Sequence, residues 1–434
     1  MHLRPGQFWS VPLSDGRFGC GRVLGVDRAP GYGSRTWFLG AVLDWVDAEP
    51  PTAEAISGAP VLEVGHAHID VITSDGGVIL GETPLTDVPP DSEQVMSYWG
   101  AGYAKTRAER RFIAHDPPPK AERRFVSSPL TDEMLAPSAT GRGVVQFGYQ
   151  PLTDSEYKRL AAWLEDYPEM TLRVYSSAVI RDLEFLRFFP SLRNFAADTL
   201  WNLESLDGLR HLPETLQELG LGATKRQLDL GILARFPGLK WLYLEKQHKG
   251  IDVLSQLTEL DDLTLRSMTL PDLSLLLPLE SLRSLDIKLG GTNDLTLLPR
   301  VGRLRHLELW RIRGLSDASM VGRLPHLRHL FMQTLPQVTR LPDFGEARAL
   351  RRLELETMKG IRDLRPIATA PVLEELPLHD MPQLQPDDLR PLIGHPTLRA
   401  LGVHLGSRRK NTEAEALLRL PAVRFDWSWR DDED

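Results

Sequence analysis

Leu282-Arg283-Ser284-Leu285-Asp286-Ile287 is followed, 22 residues later, by Leu304-Arg305-His306-Leu307-Glu308-Leu309. Both spell Leu-x-x-Leu-x-aliphatic. The spelling recurs before them at Leu216/Leu219/Leu221, Leu239/Leu242/Leu244 and Leu260/Leu263/Leu265, and after them at Leu327/Leu330/Met332, Leu350/Leu353/Leu355, Leu373/Leu376/Leu378 and Leu398/Leu401/Val403. A degenerate copy stands at Leu192/Phe195/Ala197, and the central residues lie 21 to 25 apart. In an extended segment side chains alternate, so the last two apolar residues of a copy point to one side and the residue between them to the other. One copy cannot bury its apolar side alone, so the copies must stack.

That motif at that period is the signature of leucine-rich repeats. The expected fold class is α/β: a leucine-rich-repeat solenoid of about thirteen turns, capped at both ends, behind a small β-rich domain. At ~4.8 Å per strand the inner arc spans roughly 60 Å. Val144–Tyr149 is expected as the first strand, followed by a helix over Thr153–Tyr167 with a Thr153-x-x-Glu156 capping box and a strand through Leu172 and Val174. At the other end a helix opening at Thr412 leads to Val423, Phe425 and Trp427 in strand alternation, then to an acidic tail at Asp431–Asp434. Asp252, Asp272, Asp294, Asp317, Asp363 and Asp387 precede the return segments and read as caps that accept backbone N–H groups. The positions where many such repeats carry a bonding asparagine hold Gln247, Met268, Gly290, Ile312, Leu335, Met358, Met381 and Gly406, so apolar packing must do that work. In this the array resembles irregular bacterial leucine-rich repeats more than the internalin type.

Ten leucines fall in residues 1–150 and 63 in residues 151–434, which separates a different kind of domain from the array. The expected division is a β-rich domain over 1–104, a Pro- and charge-rich connector over 105–143 and the solenoid over 144–434. Lys105–Arg124 holds seven Lys/Arg, three Asp/Glu and Pro117-Pro118-Pro119, which reads as extended chain. A net charge of −8 argues against binding nucleic acid through bulk positive charge. A single cysteine, Cys20, rules out an intrachain disulfide, and no apolar run is long enough to span a membrane. These features read as a cytoplasmic protein, monomeric when free.

Strands are expected in the first domain at Gln7–Leu13, Phe18–Val26, Thr36–Asp44, Val61–Val64, His68–Ile72 and Val78–Leu80, between turn signals at Asp15-Gly16, Pro30-Gly31 and Asp75-Gly76-Gly77. Pro5-Gly6-Gln7-Phe8, the hairpin from Pro12 through Leu24, and Leu80 through Leu85 resemble the immunity protein 26 family of bacterial polymorphic-toxin systems. That family shows a Pro-Gly-x-aromatic start, a Pro-Leu-x-Asp-Gly-x-aromatic-Gly-x-Gly-x-Val-Leu hairpin and an Ile-Gly-x-x-Pro-Leu strand end, with leucine here in place of the isoleucine. The resemblance covers about a quarter of the chain. It implies a protein without catalysis that binds and neutralises a cognate bacterial toxin by occlusion. The alternative is a general leucine-rich-repeat interaction scaffold or regulator with no toxin partner.

The candidate binding residues are those expected to project from the concave face of the array. They are Trp241, Tyr243, Glu245, Arg266, Asp286, Lys288, His306, Glu308, Trp310, His329, Phe331, Arg352, Glu354 and Glu356. Aromatics interleaved with charges are the material of protein-binding hot spots. Trp241, Tyr243, Trp310 and Phe331 are expected as anchors, with Asp286, Glu308, Glu354 and Glu356 meeting basic side chains of a protein partner. His66-Ala67-His68-Ile69-Asp70 could group two imidazoles and a carboxylate, but no second cluster completes a metal site, and an exposed strand face is expected there. Cys20, in Phe18-Gly19-Cys20-Gly21, has no base beside it and reads as a buried small hydrophobe. Phosphate-loop and nucleophile-elbow motifs are absent, so neither a cofactor nor an enzymatic activity is expected.

Overall fold

A computed structural model gives the architecture and describes residues 3–13, 16–26, 37–73, 76–85, 98–100, 102–112, 121–148, 150–421 and 423. The chain divides into two compact units, one up to residue 119 and one from residue 120 onward.

Alternation builds the first unit. Strands β1 (Gln7–Pro12), β2 (Phe18–Gly25), β3 (Trp37–Asp47), β4 (Val61–His68), β5 (Ile79–Glu82) and β6 (Tyr98–Trp99) form one sheet in the order β5-β1-β2-β3-β4-β6. Helices α1 (Asp70–Thr73) and α2 (Tyr103–Phe112) complete the described elements. Successive residues of β1 enter different cores. Trp9 packs with Val23, Phe38, Val42 and Trp99, and with Ala104 and Ala108 of α2, whereas Phe8 packs with Cys20, Leu43 and Ile56. The glycines of the hairpin motif make room for these rings: a Cβ on Gly21 would lie 2.1 Å from the Trp9 indole. The two motif stretches sit side by side, since β1 pairs antiparallel with both β2 and β5.

Three expectations change here. His68–Ile72 is not a strand, because β4 runs unbroken to His68 and the chain then turns into α1. His66 is buried and His68 pairs with Asp70 at 3.1 Å, so the exposed face expected for that trio does not form. Within 105–143, the described residues 105–112 and 121–143 are not an extended connector. They hold most of α2, anchored by Ala104 and Ala108 and by Tyr103 and Arg107 on the Glu63 carboxylate (2.7 and 2.5 Å), and a strand of the second unit. Pro117–Pro119, Asp15, Pro30-Gly31 and Asp75 lie outside the described residues.

In the second unit thirteen parallel strands lie in chain order in a single sheet. They are β7 (Glu122–Phe125), β8 (Arg142–Gly148), β9 (Glu169–Tyr175), β10 (Asn194–Asp198), β11 (Glu218–Leu221), β12 (Trp241–Glu245), β13 (Asp262–Arg266), β14 (Ser284–Lys288), β15 (His306–Trp310), β16 (His329–Gln333), β17 (Arg352–Glu356), β18 (Glu375–His379) and β19 (Ala400–Val403). This is a leucine-rich-repeat solenoid. It begins one strand earlier than the leucine pattern indicates, at β7, which pairs with β8. Of the strand expected at Val423–Trp427, only Val423 is described. The motif residues share one core, with Leu285, Leu307, Leu330 and Leu353 fully buried.

The return paths use short 3₁₀ turns such as Leu230–Arg235 and Ser319–Arg323. Asp272, Asp294, Asp317 and Asp363 accept the N–H two residues on, at 2.7 to 3.0 Å. Hydrogen bonds from the side chains of Ser274, Thr296 and Arg365, seconded by those N–H groups, hold Asp272, Asp294 and Asp363 below the usual range, and for Asp317 the Ser319 N–H leads. Asp252 and Asp387 differ, lying within the first turn of their 3₁₀ segments. In place of an asparagine ladder, Met268, Ile312, Leu335, Met358 and Met381 are buried. Gln247 alone keeps a polar role there, accepting the Leu228 N–H at 2.9 Å and donating to the Thr224 hydroxyl at 2.8 Å.

A backbone device repeats where the strands end. Lys246, Ser267, Leu289, Arg311, Thr334 and Thr357 all have φ between 48° and 59°, the left-handed region. Such a conformation costs a non-glycine residue on the order of 1 kcal/mol. Each of these N–H groups donates to a carbonyl of the next turn, from Lys246 to Arg266 through Thr357 to His379, at 2.7 to 3.1 Å. The strain is therefore held by a hydrogen bond between turns.

Helix α3 (Asp154–Glu165) links β8 to β9, and α4 (Arg408–Leu418) follows the last strand and packs on β19 and on the Pro386–Leu392 turn. Ser407, not Thr412, caps α4, so that helix starts a turn earlier than expected. Thr153 and Glu156 form the expected capping box on α3, and Glu156 also accepts the Leu130 N–H (2.8 Å) and the Ser128 hydroxyl (3.1 Å). Backbone N–H bonds from Thr153 and Leu130 hold the Glu156 carboxyl at about 2, against an ordinary 4.5. A depressed carboxyl stabilises the fold fully above pH 4.5 and loses that contribution as pH falls toward 2. Glu156→Ala is expected to lose on the order of 2 kcal/mol in urea unfolding at neutral pH. Its deficit against wild type should shrink as pH drops from 4.5 to 2, and a deficit constant over that window would show that the carboxylate is not its source.

Candidate functional site on the outer face of the repeat sheet

Pairing register stacks equivalent residues of neighbouring repeats on the sheet face opposite the leucines. One row runs Thr264, Asp286, Glu308, Phe331, Glu354, and another runs Glu245, Arg266, Lys288, Trp310, Gln333, Glu356, His379. A third runs His306, His329, Arg352. At a spacing of roughly 4.8 Å a side chain's main neighbours are the residues above and below it.

The first and third rows are not the open wall expected from the sequence. Asp286, His306, Glu308, His329, Phe331, Arg352 and Glu354 are all buried, Asp286 to 1% exposure. Charges of opposite sign close on one another there. The Lys288 ammonium lies 2.8 Å from Asp286 and 2.7 Å from Glu308. His306 Nε2 lies 3.0 Å from Asp286 Oδ1, and His306 Nδ1 lies 2.8 Å from His329 Nδ1. A contact between two Nδ1 atoms accommodates one proton. The arrangement that satisfies both contacts has His329 donating to His306 and His306 donating to Asp286. Farther along, Arg352 bonds Glu354 at 3.1 Å and Glu375 at 2.5 Å. Burial raises the Glu354 carboxyl against the pull of Arg352 and pushes His379 down to about 4, helped by the positive fields of His404 and Arg352.

Asp286, His306 and Glu308 bring three ligand atoms within 4.8 Å of one another, a grouping that suits a divalent cation. The Lys288 ammonium bonds both carboxylates and so supplies the positive charge a cation would bring. The donor set therefore reads as an ion-pair network and not as a metal centre.

What the second row offers is accessible. Glu245, Arg266, Lys288, Trp310 and Glu356 are partly exposed, and so are Trp241 and Tyr243, which continue the third and first rows onto β12. Trp241 stacks on Tyr243 with ring centres 6.3 Å apart, and the Tyr243 hydroxyl donates to Glu245 at 3.2 Å. Arg266 pairs with Glu245 at 3.3 Å while its guanidinium lies over the Trp310 ring at 5.4 Å. The indole of Trp241 reaches over Gly220, where small Gly220 and Ala196 leave it space.

Residues the sequence reading omitted extend this aromatic group toward the N-terminal strands. Tyr175, Val179 and Trp201 are exposed by 38%, 52% and 43%. Arg173 lies over Tyr175 at 4.6 Å and bonds Asp198 through Nε at 3.0 Å, and Lys246 lies over Trp201 at 5.6 Å. The signal was available: β9 and β10 carry the same alternation, but their leucine-poor motifs hid the outward positions.

The thiol of Cys20 is buried in the first unit, and desolvation pushes its pKa up to about 12, so it is not a thiolate nucleophile. Among the described residues no helix is long and apolar enough to cross a membrane.

No protein-family model and no curated protein matches the sequence. Among solved structures, an internalin from Listeria monocytogenes is 19% identical, with 65% of this chain and 80% of that one covered at a TM-score of 0.44. Internalin C2 from the same organism is 17% identical over 50% of this chain and 83% of that one, at 0.32. A leucine-rich-repeat protein from Leptospira interrogans is 16% identical over 67% and 92%, at 0.32. The repeat architecture itself rests on the thirteen-strand sheet, and no function transfers at these similarities.

Lys288 is the test of the buried network. Lys288→Met takes the ammonium from two carboxylates with side chains 2% and 6% exposed and is expected to cost on the order of 3 kcal/mol. Chemical denaturation would measure it, and a variant as stable as wild type would mean that the ion pairs are not holding these strands together.

Proposed function

We propose that the chain is a non-enzymatic protein-interaction scaffold that holds its partner against the second row of the repeat sheet and the aromatic group beside it. One observation carries the reading. Tyr175, Trp201, Trp241, Tyr243 and Trp310 keep exposed or half-exposed rings among charged side chains, each of the five fixed by a stacked ring or a cation. Rings fixed in place lose little entropy when covered, and the neighbouring Glu245, Arg266 and Lys288 provide charge complementarity and orientation. A repeat array supplies such a surface by its construction, because each turn adds one more side chain to every row.

A finer version names the partner as a bacterial toxin, neutralised by occlusion in the cytoplasm of the cell that makes it. It is supported by the resemblance at Pro5–Phe8, Pro12–Leu24 and Leu80–Leu85, whose residues come together in adjoining strands β5, β1 and β2. Growth of cells co-expressing the full chain with the toxin encoded beside it tests this version. Survival only with the chain present supports it, and equal killing with and without the chain rejects it.

For the scaffold reading, the partner recovered with wild-type chain is titrated against Trp201→Ala/Trp241→Ala. Loss of both rings is expected to weaken binding by about 2 kcal/mol, roughly thirtyfold, with unfolding unchanged. Wild-type affinity in a folded double variant would remove the aromatic group from the interface.

A further inference from the structure

Strand β5 ends its sheet, and among the described residues no strand lies on its far side. Thr83 donates its N–H inward to the Gly6 carbonyl at 2.9 Å, and β1 pairs with β5 through Gln7/Glu82 and Phe8/Gly81. An antiparallel ladder alternates inward and outward backbone groups, so Glu82, between Gly81 and Thr83, turns its N–H and C=O away from the sheet, and the C=O of Leu80 points away opposite the Gly81 N–H. Natural edges are blunted by short length, bulges, proline or charge, and β5, with four residues and a bulge, leaves room for one short segment only. This one reads Val78-Ile79-Leu80-Gly81-Glu82, with Val78 56% and Leu80 43% exposed. A register shift between Phe8 and Trp9 makes Leu80 the extra residue of a bulge.

Beside the edge lies a groove of about 530 Å³, walled by Pro51, Thr52 and Ala53 on one side and by Leu80 and Gly81 on the other. The Phe8 ring lies directly beneath Gly81, where a Cβ would come within 2.8 Å of it. The rim is acidic. Residues 43–60 contain Asp44, Asp47, Glu49 and Glu54 and no lysine or arginine, and Asp47, Glu49 and Glu54 are exposed. Glu49 and Glu82 line the groove itself.

We infer that this edge and groove bind an extended, basic segment of a protein partner, which adds a strand to β5. Main-chain hydrogen bonds to Leu80 and Glu82 would set the register. Alternate side chains of the segment would enter the groove, laying aliphatic stems on Thr52, Ala53 and Leu80 and bringing ammonium or guanidinium groups to Glu49 and Glu54. The inference goes beyond the solenoid reading and does not depend on it, since every residue it uses belongs to the first unit.

The test uses the full chain and two capped synthetic peptides, one alternating lysine and valine over six residues and one alternating glutamate and valine. The lysine peptide is expected to bind saturably and about tenfold or more tighter than the glutamate peptide, slowing hydrogen exchange at the Glu82 amide. Glu82→Pro, which removes that outward donor at an edge position that tolerates proline, should abolish binding while leaving the melting transition in place. If that variant does not fold, Glu49→Lys/Glu54→Lys, at two exposed positions, serves instead and should reverse the peptide preference. Equal affinity for both peptides, no saturable binding, or no protection at Glu82 overturns the proposal. So does a chain that dimerises through this edge and ignores both peptides, an outcome that would assign the edge to a second copy.

Discussion

Parallel strands in register, one per turn, put like upon like, and the rest of the second unit follows from that constraint. A position in the repeat is a row across the sheet, spaced at roughly 4.8 Å. A row of leucines is self-consistent, since each buries its neighbours, and Leu242, Leu263, Leu285 and Leu307 carry the core with no exposed face. A row of like charges at that spacing is not. The charges are therefore matched by neighbours of opposite sign, along a row for Glu245 with Arg266 and Arg352 with Glu375, and across rows for Lys288 with Asp286 and Glu308 and for Arg352 with Glu354. The left-handed residue that ends so many strands belongs to the same constraint. It turns the chain off the sheet at a fixed point, and its N–H bonds the next turn, keeping successive turns at one height.

The core was legible because burial of leucine depends mainly on periodicity, which a single sequence displays. What the sequence hid depends on neighbours. Asp286, Glu308 and Glu354 alternate with leucines as outward residues should, and outward was read as exposed. Whether an outward carboxylate meets water or an ammonium is decided by the residue 20-odd positions away that the register sets against it, as Glu308 is set beside Lys288 through β14 and β15. The connector failed for a different reason. Three prolines dominated the reading of residues 105–143, while the helical signal, Ala104 and Ala108 four apart under Tyr103 and Arg107, lay before them. Strand β7, Glu122-Arg123-Arg124-Phe125, has no leucine at all. It joins the array through its backbone, where Gly143 on β8 lets the chains approach: a Cβ there would lie 2.0 Å from the Glu122 carbonyl oxygen.

The first unit solves a similar problem with opposite means. Its strands differ in length and direction, so no row repeats, and the packing is specified by individual ring-and-glycine pairs. Trp9 requires Gly21, Trp99 requires Gly65, and Phe8 requires Gly81. This is why the stretch around Phe18-Gly19-Cys20-Gly21 reads as a specific motif while the repeats read as a pattern. Cys20 fits that account, since a small side chain at full burial beside Leu43 and Ile56 fills space without asking for a partner.

Burial of the ionic rows has a consequence for binding. A buried pair such as Arg352–Glu354 gains little over a hydrophobic pair in stability, because desolvating both ions offsets most of their attraction. Its effect is geometric: held ions fix the strand positions of the side chains adjoining them. Lys288 is gripped by two carboxylates, and it stands between Arg266 and Trp310 in the accessible row. Arg266, in turn, is held by Glu245 and lies over Trp310. The accessible face is thus positioned from beneath by charges that a partner does not have to touch. A surface built in this way presents its aromatic rings already oriented, so the ordering that a flexible surface undergoes during association has been completed during folding.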